Sequence, residues 1–264
     1  MIEAASQFDS SPYIARASFV VSFLKEPDMR YKSKEIEQHF REIAASQSVA
    51  TNVPDHAPEQ MPRITIQSGL KTISVSQTTA QLDFDFSESP ESITDSMSTV
   101  ERNVTKFWDG VEKLRGRDNM RQAGLVVTVC TPASLSLTQI HQSIFDRYIR
   151  IPSTTAVASA GFRVGFLDKE HWIFRNYALD GYEVREGTVE PSHMVNGRIK
   201  IQFASIPVRE SGFELKVDIN STPLLNQANG NTANHSAIVV REMQRVLESK
   251  ADGLLATTYG DKKK

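Results

Sequence analysis

Two stretches of this chain share one pattern, and it constrains the fold more than any other feature. Leu82-Asp83-Phe84-Asp85-Phe86-Ser87-Glu88-Ser89-Pro90 aligns without a gap on Leu215-Lys216-Val217-Asp218-Ile219-Asn220-Ser221-Thr222-Pro223. In each, apolar residues alternate with polar ones, Asp stands at the same step, and a small polar exit leads to Pro. Alternation of period two describes a strand with one buried and one wet face. Each stretch precedes the last helical segment of its part of the chain. A repeated unit with the order strand, helix, strands, helix accounts for both.

The rest of the chain supports that order. Ala15 to Leu24 is rich in β-branched and aromatic residues and predicts a strand stopped by Pro27. Ser33 reads as the N-cap of a helix carrying Ile36, Phe40 and Ile43, with Glu35 and Glu37 near its positive end. Gln47 to Pro62 is polar and holds Pro54, Pro58 and Pro62, so it reads as a loop. Arg63 to Gln67, Thr72 to Ser76 and Gln81 to Phe86 read as an antiparallel meander with turns at Ser68-Gly69 and Gln77-Thr78. Thr94 or Asp95 then caps a long helix whose stripe is Met97, Val100, Val104, Phe107, Trp108, Val111 and Leu114. In the second part, Ala123 to Cys130 is a strand and Ser136 to Tyr148 a helix. Strands follow near Ala156 to Leu167, His171 to Tyr177, Gly197 to Ile206 and Phe213 to Ile219. A last helix runs from about Asn234 to Ser249, with Gly253 just past its end. We therefore expect an α+β fold of two similar β-α-β-β-β-α-like halves, residues 1–118 and 119–264, with mainly antiparallel sheets. One sheet spanning both halves and two separate domains fit equally well at this stage.

Composition excludes several function classes. Lys plus Arg total 30 and Asp plus Glu 32, so no general basic coat for nucleic acid exists. A single cysteine leaves neither a disulfide framework nor a Cys-cluster zinc site. No apolar run reaches the roughly 20 residues that cross a bilayer, and Met1 to Tyr13 lacks the pattern of a signal peptide. The expected location is the cytoplasm, without membrane association.

Candidate chemistry is sparse. Asp85 and Asp218 would face each other if a twofold related the halves, and paired carboxylates hold metals or divide acid and base roles; the alternative is that each lies on a wet strand face. The histidines at 39, 56, 141, 171, 193 and 235 form no ligand spacing. Cys130 ends an apolar strand and reads as an inert thiol. No phosphate-binding glycine loop or serine-hydrolase elbow is present. We expect no catalytic residues, no metal and no cofactor. Lys113, Arg115, Arg117 and Arg121 form the densest basic stretch, a contact for phosphate or an acidic partner unless it is simply a solvated loop. Phe162, Phe166, Trp172, Phe174, Tyr177 and Tyr182 make 161–182 the most aromatic region, with Arg163 and Arg175 interleaved. Core packing in a sheet explains it better than base stacking. Asp180 to Asn196 is long, polar and without period, an extended hairpin arm or a flexible loop. Tyr182, Val184, Val189 and Met194 are its partner-binding candidates, because aromatic and Met residues centre interfaces. Asp261 to Lys264 reads as a tail.

Ala17 to Phe23, of the form A-x-F-x-V-x-F, and Leu215 to Ile219, of the form Leu-x-x-Asp-Ile, resemble a sporadically distributed bacterial family of two-part α+β proteins without an assigned function. The resemblance implies an accessory or partner subunit, of the kind found in bacterial defence systems. The leading expectation is thus a non-enzymatic interaction protein, an adaptor or antitoxin-like subunit, with a protein partner or self-association. Two alternatives stand beside it: a nucleic-acid-associated factor using 113–121, and a metal-dependent hydrolase or nuclease with dispersed carboxylates.

Overall fold

The computed structural model describes residues 11–54, 56–149, 151–152, 155–187, 194–195, 198–199, 206–225 and 234–248. Their organising element is an antiparallel sheet of nine strands. Its members are β1 (Tyr13–Phe23), β2 (Val49–Ala50), β3 (Ile64–Ser68), β4 (Lys71–Val75), β5 (Thr79–Asp85), β6 (Met120–Pro132), β7 (Phe162–Asp168), β8 (Ile173–Arg185) and β11 (Val208–Asn220). They lie in the order β2-β3-β4-β5-β1-β6-β11-β8-β7, while β9 (Met194–Val195) and β10 (Arg198–Ile199) pair with each other.

The helices cover one face. α2 (Ile93–Arg115) lies over β1 and β5 with α1 (Ser33–Phe40) packed against it, and α3 (Leu137–Ile144) and α5 (His235–Glu248) lie over β6, β8 and β11, with a short α4 (Thr222–Leu225) after β11. The alternation read from the sequence decides which side chains meet them. Phe19, Val21 and Phe23 of β1, Leu82 and Phe84 of β5, Leu125, Val127 and Val129 of β6, and Leu215, Val217 and Ile219 of β11 are all buried on this side. Phe107 of α2 stacks on Phe40 at 5.0 Å and meets Phe19 edge-on at 6.1 Å. Burial of such rings is the main source of stability in a layer of this kind.

Several local readings change. Ser33 is the first helical residue, and no side chain caps α1, which ends at Phe40. Ser92, not Thr94 or Asp95, caps α2: its Oγ accepts from the Asp95 N–H at 3.1 Å. α3 opens with a capping box between Ser136 and Gln139, then passes into a π-helical turn, Phe145–Ile149. A two-residue strand, β2, interrupts the expected loop before Pro62. β8 runs eight residues beyond Tyr177, so Asp180 to Arg185 pairs with β11; of the two forms expected for this arm, its first part takes the paired one. Residues 197 and 200–205 of the strand expected at 197–206, with Val189, His193, Gly253 and the tail at 261–264, lie outside the described residues, as do the side chains of 194–195 and 198–199.

Candidate functional site

Among the described residues no helix lies over the second face of the sheet, and the register of the strands arranges its side chains in rows. One row runs Asp85, Arg16, Thr128, Lys216, Ala178, Arg163. The next runs Thr72, Asp83, Ser18, Val126, Asp218, Asn176, Gly165. These are the wet positions of strands whose other face is core. A cavity of about 910 Å³ lies over the middle of this face, bounded by residues from β1, β4, β5, β6, β8 and β11. Its charged lining comprises the cations Arg16, Arg209 and Lys216 and the carboxylates Asp83, Asp85, Glu88, Glu183 and Glu214.

One end of the cavity is closed by a hydrogen-bonded cluster. The hydroxyls of Tyr13 and Tyr182 both donate to Glu210 Oε1, at 2.8 and 2.6 Å. This ties β1, β8 and β11 together. Burial, then the bond to Glu210, pushes both phenols far above their ordinary range. Burial, then the carboxylates of Glu214 and Glu210, pushes the neighbouring Cys130 thiol up to about 12. It is therefore protonated at neutral pH and unsuited to nucleophilic work.

Asp85 and Asp218 are not brought together. They sit on β5 and β11 with β1 and β6 between them, a separation of about 14 Å at the usual strand spacing. They also differ in character. Hydrogen bonds from Ser87 hold the Asp85 carboxyl below its ordinary value. Burial raises that of Asp218, against a bond from Asn176 Nδ2 at 3.2 Å. A shared metal or shared proton requires a few ångströms, so the facing-carboxylate arrangement fails on geometry. Among the described residues, no group of three or more His, Cys, Asp or Glu side chains is placed to hold a metal ion.

The basic stretch is largely engaged within the chain. Arg115 pairs with Glu26, donates to the Leu24 carbonyl at 3.0 Å and lies over the Phe23 ring. Arg117 pairs with Glu112 at 2.8 Å, and Arg121 donates to the Asp118 and Met120 carbonyls. Lys113 is on the last turn of α2. Gly116, at φ 76°, ends α2 after Arg115 and turns the backbone toward Arg117.

Of the partner-binding candidates, Tyr182 and Val184 line the cavity from β8; Met194 belongs to the small β9–β10 pair. The aromatic region divides. Tyr177 is core, but Phe166, Trp172 and Phe174 are exposed by 51, 39 and 38%, which corrects the expectation that the sheet buries them. The reason is topological: Phe166 is on the edge strand β7, Trp172 is in the turn after it, and Phe174 is on the face of β8 that no described helix covers. His141 is buried beside Asp180 at 3.6 Å, and His171 is exposed beside Asp168. Reading the sequence missed the row of open-face charges and Glu210, since both depend on which strands become neighbours. No helix among the described residues is long and apolar enough to cross a membrane. Compared with known proteins, the chain matches no family model, no curated protein and no solved structure.

Proposed function

We propose that this chain is a non-enzymatic protein-binding module, an accessory or adaptor subunit, and that the open face of its sheet receives the partner. The observation that carries this reading is the cavity over that face. It is a concave surface on the sheet, with charges of both signs, hydroxyls and the aromatic residues Tyr13, Phe84 and Tyr182. Mixed polarity around an aromatic is the usual make-up of a protein interface. A nucleic-acid backbone is a poor fit, because five carboxylates stand against three cations in the same lining. The test exchanges Arg16→Glu and Lys216→Glu together, with Lys106→Glu on α2 as control. Proteins co-purifying from the native cells are then quantified, and binding to mixed oligonucleotides is measured against salt. A protein retained by wild type and control but depleted by the double variant supports the reading. Equal retention by all three, or steeply salt-dependent oligonucleotide binding by the wild type, sinks it.

We infer too that the halves derive from one duplicated unit set about the β1–β6 pair. In support, β5 adjoins β1 as β11 adjoins β6. Asp85 lies opposite Arg16 as Asp218 lies opposite Val126, and Ala17 stands opposite Val127. Superposing the two parts of an experimental structure checks this; the two aspartates falling a residue or more apart in register would end it.

A further inference from the structure

The two edges of the sheet are protected very differently. At one edge β2 has only two residues, which leaves little backbone for another strand to pair with. At the other, β7 has seven residues, Phe162–Asp168, without Lys or Pro. Among the described residues, three exposed large apolar side chains fall on β7 and the turn after it, Phe166 (51%), Leu167 (40%) and Trp172 (39%), and a fourth, Phe174 (38%), lies on β8 opposite Leu167. Trp172 stands at φ 56°, in the left-handed region where a bulky residue is rare. The turn is pinned, since Asp168 accepts from the N–H groups of Glu170 and His171 and pairs with Arg175, which reaches Glu242 of α5. An apolar edge held this rigidly is prepared for an interface.

We propose that a second copy of this chain docks on β7, pairing β7 with β7 antiparallel about Val164 to make a closed dimer. A free strand edge presents N–H and C=O groups that another strand satisfies, and β7 complements itself. A twofold at Val164 sets Phe162 against the partner's Phe166 and Val164 against its own equivalent, extending the apolar row that Tyr177 begins beneath them. Arg163 meets the partner's Gly165, so no like charge opposes it. The segment before β7, residues 155–161, carries no charge, so it sets no like charge against the other copy's Lys169–Glu170 turn. The interface is isologous and β2 offers no second edge, so assembly stops at two copies. This surface is separate from the open-face cavity, and the inference stands whether or not that cavity binds a partner.

Sedimentation equilibrium tests it. The wild-type chain should sediment at twice its 29.5 kDa mass at about 10 µM, an ordinary affinity for a modest interface. Phe166→Glu, with unchanged circular dichroism, should weaken the dimer about 30-fold or more, as loss of a central apolar anchor does. Val164→Cys serves if that variant misfolds. Cys130 is buried, so mild oxidation should cross-link Val164→Cys chains into dimers much faster than Thr65→Cys chains. A monomeric wild type overturns the proposal. So does a dimer indifferent to Phe166→Glu, or cross-linking of Val164→Cys no faster than the control.

Discussion

Replacing Asp168 by Asn asks how strongly the β7–β8 turn is fastened to the body of the protein. The Asp168 carboxylate is largely shielded from solvent and accepts from Glu170 N–H at 2.9 Å, from His171 N–H at 3.0 Å and from the His171 ring at 3.1 Å, besides pairing with Arg175. Burial alone would raise its pKa. The donors and the guanidinium outweigh it and hold the group at about 2 instead of 3.8. At about 1.36 kcal/mol per unit, that shift corresponds to an upper bound of roughly 2.4 kcal/mol. Some of it is lost to solvent screening, so we expect Asp168→Asn to cost about 1–2 kcal/mol near pH 7. Asn keeps an oxygen for the backbone N–H groups but not the charge, which isolates the electrostatic part. The sign follows from the direction of the shift. A lowered carboxyl pKa stabilises the fold fully above 3.8 and progressively less as pH falls toward 2. Urea midpoints of wild type and variant should therefore differ most near pH 7, and by about half as much near pH 3. Equal midpoints near pH 7, or a gap that does not narrow in acid, would refute the reasoning.

Two further perturbations probe the sheet. Cys130 should resist thiol reagents near pH 8 in the folded protein and react at once in denaturant, because its thiol is buried and titrates at about 12; rapid modification of the folded chain would contradict the packing of β6 against Tyr13. Gly212→Ala should cost about 2–4 kcal/mol by chemical denaturation, since a Cβ at Gly212 would meet the Thr131 carbonyl oxygen at 2.2 Å, and backbone cannot step aside; a variant as stable as wild type would mean that β6 and β11 do not pair there as closely.

What the sequence disclosed, and what it withheld, follows from range. The core faces of β1, β5, β6 and β11 and the stripe of α2 obey local periods of 2 and 3.6, so Phe19, Leu82, Val127, Leu215 and Phe107 were readable as core. The end of β8 was not, because Tyr182-Glu183-Val184-Arg185 is held by pairing with β11 rather than by its own burial. The exposure of Phe166 and Trp172 depends on β7 lying last in the sheet, and strand order is set by contacts distant in sequence. The same holds for the cluster at the end of the cavity. Tyr13 and Glu210 stand 197 residues apart, with no short-range pattern joining them. Tyr182 is legible as an aromatic in a polar stretch; its place on the cavity wall comes from the β8–β11 register, which sets it opposite Gly212.

The placement of β1 against β6 has a consequence for how the protein is made. β1 (Tyr13–Phe23) lies between β5 and β6, so one of its sides is closed by residues 79–85 and the other by residues 120–132. During synthesis the first strand waits with an open border of unpaired backbone N–H and C=O groups, beside an apolar face, until β6 has left the ribosome. β6 then waits in turn for β11, at residues 208–220. At a synthesis rate of about 5–20 residues per second, each wait lasts seconds. That is long beside the microseconds in which a hairpin closes. For that interval the nascent chain carries a sticky ribbon, and shielding it, whether by a chaperone or by the helices that fold onto its other face, decides how much of the protein reaches its final form.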